Sequence, residues 1–499
     1  MKLRKTCLTA VIAGFIFFGF TAGFGFDFSE LENAVSEHTL DNGLRILVME
    51  RHDAPVASFI TFANVGGAND PKEYTGLAHM LEHMAFKGTT DIGTKDIDKE
   101  LTLMKTEDSI FYELRAERKK GRQADTTRLA ELKQAFADAI EAAGEYVEPN
   151  AFDHILETEG SVGLNAGTGM DMTIYMMSLP SNRLELWMAM ESERFYKPVL
   201  REMYRERNVI AEERRQTLDN SPFGRTLDEM KASAFLAHPY GISIVGHMSD
   251  IQNYTRDAVK EHFKKYYVPT NLIVAVVGDV KSKEVFKLAE KYWSRIPYRP
   301  RPEELATIEP KQNGERRVEL EDPAQPLFGA CFHIPNSTHP DWPALQAMMD
   351  YLGQGRTSLL YENLVKEKKI AADVGAFAGY PGNKYPCLAL IYAIPSAGHT
   401  NEECEEQIFT EIDKMKDELL PVEEVEKIKA RAKASFINGL NSNMGLAMQL
   451  ATFENKYGDW RELFKQLDRI NTVTPEDIQR VAQEYFTKNN RTVAKLNTI

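Results

Sequence analysis

His79-Met80-Leu81-Glu82-His83 sets two imidazoles four residues apart with a carboxylate between them. The motif lies in Thr75–Phe86, where Leu77, Met80, Leu81 and Met84 recur at helical spacing, so a helix is expected from Thr75 onward. Positions i and i+4 of a helix share a face, and both rings can reach one metal ion while the acid at i+3 flanks them unbound. Glu82 is then free to act as a base. The order H-x-x-E-H mirrors H-E-x-x-H, a spacing suited to zinc-bound water attacking a peptide carbonyl. A surface helix that happens to carry two histidines and an acid is the bland alternative, and the apolar flanks argue against it.

Catalytic zinc takes three protein ligands and keeps one position open, so a third ligand must come from elsewhere. In the helical segment Arg205–Arg215, at ~100° per residue, Glu206 and Glu213 fall within about 20° of each other, centred on the apolar pair Val209 and Ile210. Glu212 lies about 110° from that centre. Carboxylates on an apolar face are costly unless paired or metal-bound, which makes Glu206 and Glu213 the informative pair.

The elements that must position these residues follow from a duplication. Thr255–Tyr266 and Asn271–Val274 parallel Thr474–Tyr485 and Asn490–Val493, every paired position 219 residues apart. Each copy reads as a helix with Thr at its N-cap, a turn and a β-branched strand. A hairpin around Asn42-Gly43 leading into Leu44–Val48 and a strand Val56–Ala63 belong to the first half. Leu327–Ile334 and Pro343–Leu352 are the matching strand and helix of the second. The expectation is α+β, with homologous domains at 30–297 and 317–499 joined by a proline-rich linker at 298–316. Residues from about 98 to 148, rich in Glu, Lys, Arg, Ala and Leu, break the symmetry. They predict two long helices hinged near Gly121–Asp125, read as a solvated hairpin inserted in the first domain, with a partner-docking arm as the sharper alternative.

The 499 residues carry 60 Lys+Arg against 74 Asp+Glu, a net charge of −14, and are 43% hydrophobic, which excludes collagenous and disordered chains. No basic run exceeds Arg118-Lys119-Lys120, so no nucleic-acid partner is expected. Lys2, Arg4 and Lys5 precede 21 uncharged residues, the pattern of an export signal occupying 1–25. Left uncut, that stretch is also long enough to span a bilayer. Loss of its three cations takes the charge from −14 to −17, an acidic mature protein outside the cytosol. Cys331, Cys387 and Cys404 then remain, either as buried thiols or with two of them in a disulfide.

In chain order, Leu40-Asp-Asn-Gly-Leu44, Gly76–Thr89, Leu164-Asn165-Ala166 through Tyr175, Glu206–Glu213, His238-Pro-Tyr-Gly241, Tyr266–Asp279 and Val473-Thr-Pro-Glu-Asp477 form one ordered set. That set resembles the pitrilysin, insulin-degrading enzyme and mitochondrial processing peptidase family of inverted zincins over nearly the whole chain. The resemblance implies half a clamshell of two mainly antiparallel sheets packed with helices. It implies one zinc held by His79, His83 and Glu213, with Glu82 as general base and acid and Glu206 as a supporting acid. Asn165 and Ala166 would lie on an edge strand to which a substrate peptide adds by backbone hydrogen bonds, with Tyr175–Leu179 as the neighbouring strand. The activity implied is that of an exported, periplasmic or otherwise extracytoplasmic zinc metalloendopeptidase, cutting peptides or unfolded segments in a closed chamber. The alternative is a non-catalytic core or assembly subunit of the same fold, a class that commonly loses the metal residues present here.

The chain departs from the family pattern in two places. His83 and Glu213 are 130 residues apart, a gap that the 98–148 insertion lengthens beyond the usual spacing. In the second half, Val365 and Ala372 stand where family members or their partners present an Arg and, seven residues on, a Tyr. Ala347-Met-Met-Asp-Tyr351 likewise stands where a second metal motif would be, so the second domain is expected to be non-catalytic. The partner implied is a metal-free sister subunit supplying the Arg/Tyr pair in a heterodimer, or else a second copy in a homodimer.

Overall fold

A computed structural model describes residues 29–499, so the expected leader at 1–25 lies outside the described residues. Six strands of the first half form one sheet: β1 (Val35–Thr39), β2 (Arg45–Glu50), β3 (Val56–Ala63), β4 (Val162–Thr168), β5 (Thr173–Pro180) and β6 (Leu272–Gly278), ordered β1-β2-β6-β3-β5-β4. The second half repeats the pattern with β7 (Arg316–Asp322), β8 (Leu327–Ile334), β9 (Ala371–Tyr380), β10 (Cys387–Pro395) and β11 (Arg491–Thr498), ordered β7-β11-β8-β10-β9. Both sheets are antiparallel except for one parallel pair in each, β2 with β6 and β7 with β11. β4 and β9 are the corresponding edges. The fold is thus α+β, two mainly antiparallel sheets packed with helices.

The duplication is visible down to single hydrogen bonds. Thr255 caps the helix Arg256–Tyr266 by accepting from Ala258 N, and Thr474 caps Pro475–Tyr485 by accepting from Asp477 N. Past each helix an asparagine amide turns back: Asn271 donates to Tyr266 O and Asn490 to Tyr485 O, at 2.9 and 2.7 Å. Asn271 is buried and Asn490 partly so, and each amide finds a backbone acceptor at the mouth of its strand.

β3 is buried along nearly its whole length, as expected of a central strand covered on both faces. One face, with Phe59 and Val276, packs under helices of the first half. The other, with Leu47, Ile60, Phe62 and Ala275, packs on Leu446, Leu450 and Ala451 of the helix Asn443–Tyr457, which belongs to the second half. The exchange is reciprocal. The helix Pro222–Ala234 of the first half lies on the second sheet, where Met230 meets Gly329 and His333 Nε2 meets Ala234 O at 3.0 Å. Residues 297–315 between the halves form no helix or strand. They are nonetheless docked, because the Glu309 carboxylate accepts the backbone N–H groups of Leu236, Ala237 and His238.

The inserted segment is a helical hairpin, Ile97–Lys119 and Thr126–Gly144, turning at Gly121. Asp125 caps its second helix by accepting from Thr127 and Arg128 N. It is not simply solvated. Glu100 is fully buried and paired with Arg201, and Glu107 with Arg256, while Phe111 and Phe136 clasp the ring of Tyr204. Charged residues that look solvent-facing in sequence are here the hairpin's anchors, which composition cannot distinguish from a wet face. Cys331, Cys387 and Cys404 are free and buried, and burial pushes the Cys331 thiol up to about 12, which makes it inert.

Candidate metal centre

The motif forms one short helix, Leu77–Met84, which begins two residues later than expected because Gly76 takes a left-handed conformation (φ 90°) that starts it. Asp70 caps that start, its carboxylate accepting from Gly76 N at 2.7 Å and Ala78 N at 2.9 Å. Thr75 lies outside the helix and donates its hydroxyl to Asp250. Leu77, Met80, Leu81 and Met84 are buried, as is His79, while His83 is partly exposed.

The helix Met203–Arg214 supplies the acid. His79 Nε2 lies 3.6 Å and His83 Nε2 3.7 Å from Glu213 Oε2, with the two rings edge to face at 4.8 Å. A tetrahedral ion with ligand bonds of about 2.0–2.1 Å sets neighbouring donors roughly 3.4 Å apart, so this set of two imidazoles and one carboxylate fits zinc. Among the described residues these three form the one group of His, Cys, Asp or Glu side chains close enough to hold a metal. Glu212 instead pairs with Arg215 on the surface. One part of the helical-face expectation is corrected: Val209 is 50% exposed, so of the apolar pair only Ile210 is buried in the core beside Glu206 and Glu213.

Glu206 does not join the three donors. Its Oε2 sits 3.3 Å from His83 Nδ1 and its Oε1 2.5 Å from Lys87 Nζ. Burial works against the Glu206 charge, but His83 and Lys87 outweigh it and hold the carboxyl below its usual value. An ionised acceptor on Nδ1 fixes the proton there and leaves Nε2 free to ligate. For His83 burial is likewise outweighed by Glu206, so its pKa is raised, whereas burial and the His83 charge lower His79 to about 4. His79 Nδ1 is buried and, among the described residues, has no hydrogen-bond partner.

Glu82 stands beside the donors without pairing with them. Its Oε2 accepts the Thr168 hydroxyl at 2.5 Å, and burial raises its carboxyl above the usual range, with Thr168 pulling the other way. Thr168 ends β4, the edge strand of the first sheet. Asn165 and Ala166 lie on the same strand, paired with Met176 and Tyr175 of β5, and the Asn165 side chain covers the Ala166 N–H at 2.9 Å. The β4–β5 turn is tied to the second half, since Asp171 accepts from Tyr240 Oη at 2.5 Å and from the Asn383 and Lys384 backbone at 2.9 and 3.1 Å.

Thr168, Lys87 and Asp171 were not singled out from sequence. Period-two alternation from Ala166 reaches Thr168, a signal that was available; Lys87 and Asp171 act only through contacts distant in the chain. In the second half, the helix Trp342–Gly353 occupies the motif's place and Asp350 pairs with Arg431 at 2.8 Å. Val365 is partly buried against the second core, and no arginine or tyrosine stands at 365 or 372.

Comparison with known proteins gives a consistent picture. The profile for insulinase (peptidase family M16) matches residues 45–113, and that for the peptidase M16 inactive domain matches residues 253–432. The zinc protease PqqE of Helicobacter pylori is 28% identical over 473 residues, spanning 92% of this chain and 91% of that protein. A probable mitochondrial-processing peptidase subunit beta of Arabidopsis thaliana is 22% identical, spanning 92% and 78%. Among solved structures, a protease from Helicobacter pylori superposes with a TM-score of 0.77 at 27% identity, covering 93% of this chain and 99% of that one. The first half of the periplasmic protease PqqL from Escherichia coli shares the fold at a TM-score of 0.67 and 16% identity, covering 93% and 92%.

Proposed function

The chain belongs to the insulinase family of peptidases, M16, and from that premise we propose that it is a zinc metalloendopeptidase cutting peptides or unfolded segments in a chamber completed by a second chain. The observation that carries this reading is the convergence of His79, His83 and Glu213 with Glu82, held by the Thr168 hydroxyl, at their side. His79, His83 and Glu213 would hold the metal. Zinc bound there supplies a Lewis acid with a free position, which polarises a scissile carbonyl and makes water a nucleophile near neutral pH.

The chain's own side chains do the rest. Glu82 takes a proton from the attacking water and returns one to the departing amine, a task suited to a carboxyl whose pKa burial has raised. Thr168 keeps one Glu82 oxygen occupied, which leaves the other to take the proton. Glu206 and Lys87 hold the His83 ring in its ligating tautomer. A substrate lies extended along β4, displacing the Asn165 side chain to reach the Ala166 N–H.

Export through the basic and apolar N-terminus makes the site extracytoplasmic. Among the described residues no helix is long and apolar enough to cross a membrane. The partner that closes the chamber is a metal-free sister chain supplying Arg and Tyr, since Val365 and Ala372 cannot fill that role, with a second copy as the other candidate. Metal analysis of gently purified protein, combined with hydrolysis of an unstructured peptide, tests the reading. About one zinc per chain and activity lost to a chelator and restored by zinc support it. A metal-free native protein inert with its partner present would instead identify a non-catalytic subunit.

A further inference from the structure

We propose that the first half holds a second binding site, unrelated to the metal centre, for a free medium-chain fatty carboxylate. Its seat is a cavity of about 550 Å³ whose floor is built from Phe195, Val199, Leu200, Tyr267 and Ile296. The inserted hairpin contributes Leu101 and Met104 to the wall. The volume lies within the roughly 300–1,000 Å³ typical of small-ligand sites, enough for one acyl chain. An apolar floor offers water few partners and favours a hydrocarbon occupant.

The charge around it selects the head group. Lys197, Arg256, Lys260, Lys264 and Arg299 line the cavity, and among the described residues no carboxylate does. Arg256 is spent on Glu107 and Asp108, and Lys264 on Glu261. Among the described residues no acid pairs with Lys197, Lys260 or Arg299: Lys197 lies over the Tyr196 ring, and Arg299 donates to the Lys264 carbonyl. Lys197, Lys260 and Arg299 are all exposed, which puts their charges at the solvent side of the cavity. On a chain of net charge −14, three uncompensated cations at the mouth of an apolar cavity make a local positive potential that draws an anion whose tail fits within. The tail packs on Phe195 and Tyr267 while the carboxylate stays at the lysines, where partial hydration keeps its desolvation cost low.

Titration calorimetry of the full chain with dodecanoate, below its micellar concentration, reads binding directly and owes nothing to peptidase activity. Saturable binding of one dodecanoate is expected, weakened at least tenfold in Lys197→Glu/Lys260→Glu and in the cavity-filling Leu101→Trp, with each variant's thermal melt checked against the parent. Dodecanol, with the same tail and no charge, is expected to bind at least tenfold more weakly. Absence of saturable binding, equal binding by the charge-reversed protein, equal binding of dodecanol, or attachment only to anionic phospholipid vesicles would each overturn the proposal.

Discussion

Glu82 owes its position to one hydroxyl, and that contact makes a residue-scale prediction. Thr168→Val removes a donor to a carboxylate while preserving shape, a loss of about 1.5–3 kcal/mol for a hydrogen bond to a charged group. Peptide turnover is expected to fall by roughly ten- to a hundredfold with KM little changed, because the zinc ligands and β4 stay in place. Steady-state kinetics with an unstructured peptide check this, and unaltered kcat would remove Thr168 from the account. Glu206→Gln should weaken zinc affinity about 10- to 100-fold in chelator competition, since His83 Nδ1 loses an ionised acceptor. The two histidines and Glu82 were legible in sequence because an i, i+4 pair on a helix needs no tertiary information. Glu213 was legible only through helical phase and family likeness. Thr168 is reachable only by period-two alternation from Ala166, and Lys87 reaches the site by folding alone.

Two elements carry the site, and each depends on a backbone feature. Gly76 starts the motif helix at φ 90°, and a Cβ there would meet the Tyr254 hydroxyl and come within 2.7 Å of Val245 O. Gly76→Ala should destabilise the fold by about 1–2 kcal/mol or more, seen as a lower melting temperature together with reduced zinc retention. Ala166→Pro deletes the N–H that an added strand would use, on an edge where proline is tolerated. It should raise KM about tenfold with zinc content unchanged; an unmoved KM would take substrate off β4. Strands such as Val56–Ala63 and Leu327–Ile334 were read correctly from apolar runs between turns. The inserted hairpin is helical, as its composition predicts, but one face is anchored rather than solvated, which composition does not reveal because the partners of Glu100 and Glu107 lie about a hundred residues or more away in the chain.

At the scale of the molecule, the exchanged helices mean that neither half can leave without uncovering an apolar sheet face. The duplication was legible in sequence, but the exchange was not, since each helix looks equally amphipathic whichever sheet it covers. Unfolding should be one calorimetric transition, and Leu450→Ala, at a fully buried site, should lower it as a whole by about 2–5 kcal/mol rather than split it. A second tie gives the pH dependence. Glu37 on β1 accepts from Trp460 Nε1 at 2.7 Å and pairs with Arg45 and Arg461. Burial opposes its charge, but these partners prevail and hold its carboxyl below the ordinary 4.5. A carboxylate depressed in the folded state stabilises above its unfolded pKa, and that stability is lost as pH falls through the lower folded value. Wild-type melting temperature should therefore drop more steeply below pH 4.5 than that of Glu37→Gln; parallel curves would contradict the tie.

The most direct test of the central claim is paired zinc analysis and peptide hydrolysis for Glu82→Gln, with the wild type alongside and the same partner chain present. The substitution keeps size and leaves the three donors untouched, so about one zinc per chain should remain. Hydrolysis should fall by roughly a hundredfold or more, the worth of a general acid and base. Undiminished hydrolysis by a zinc-loaded variant would contradict the role assigned to Glu82 and, with it, the catalytic reading of the site.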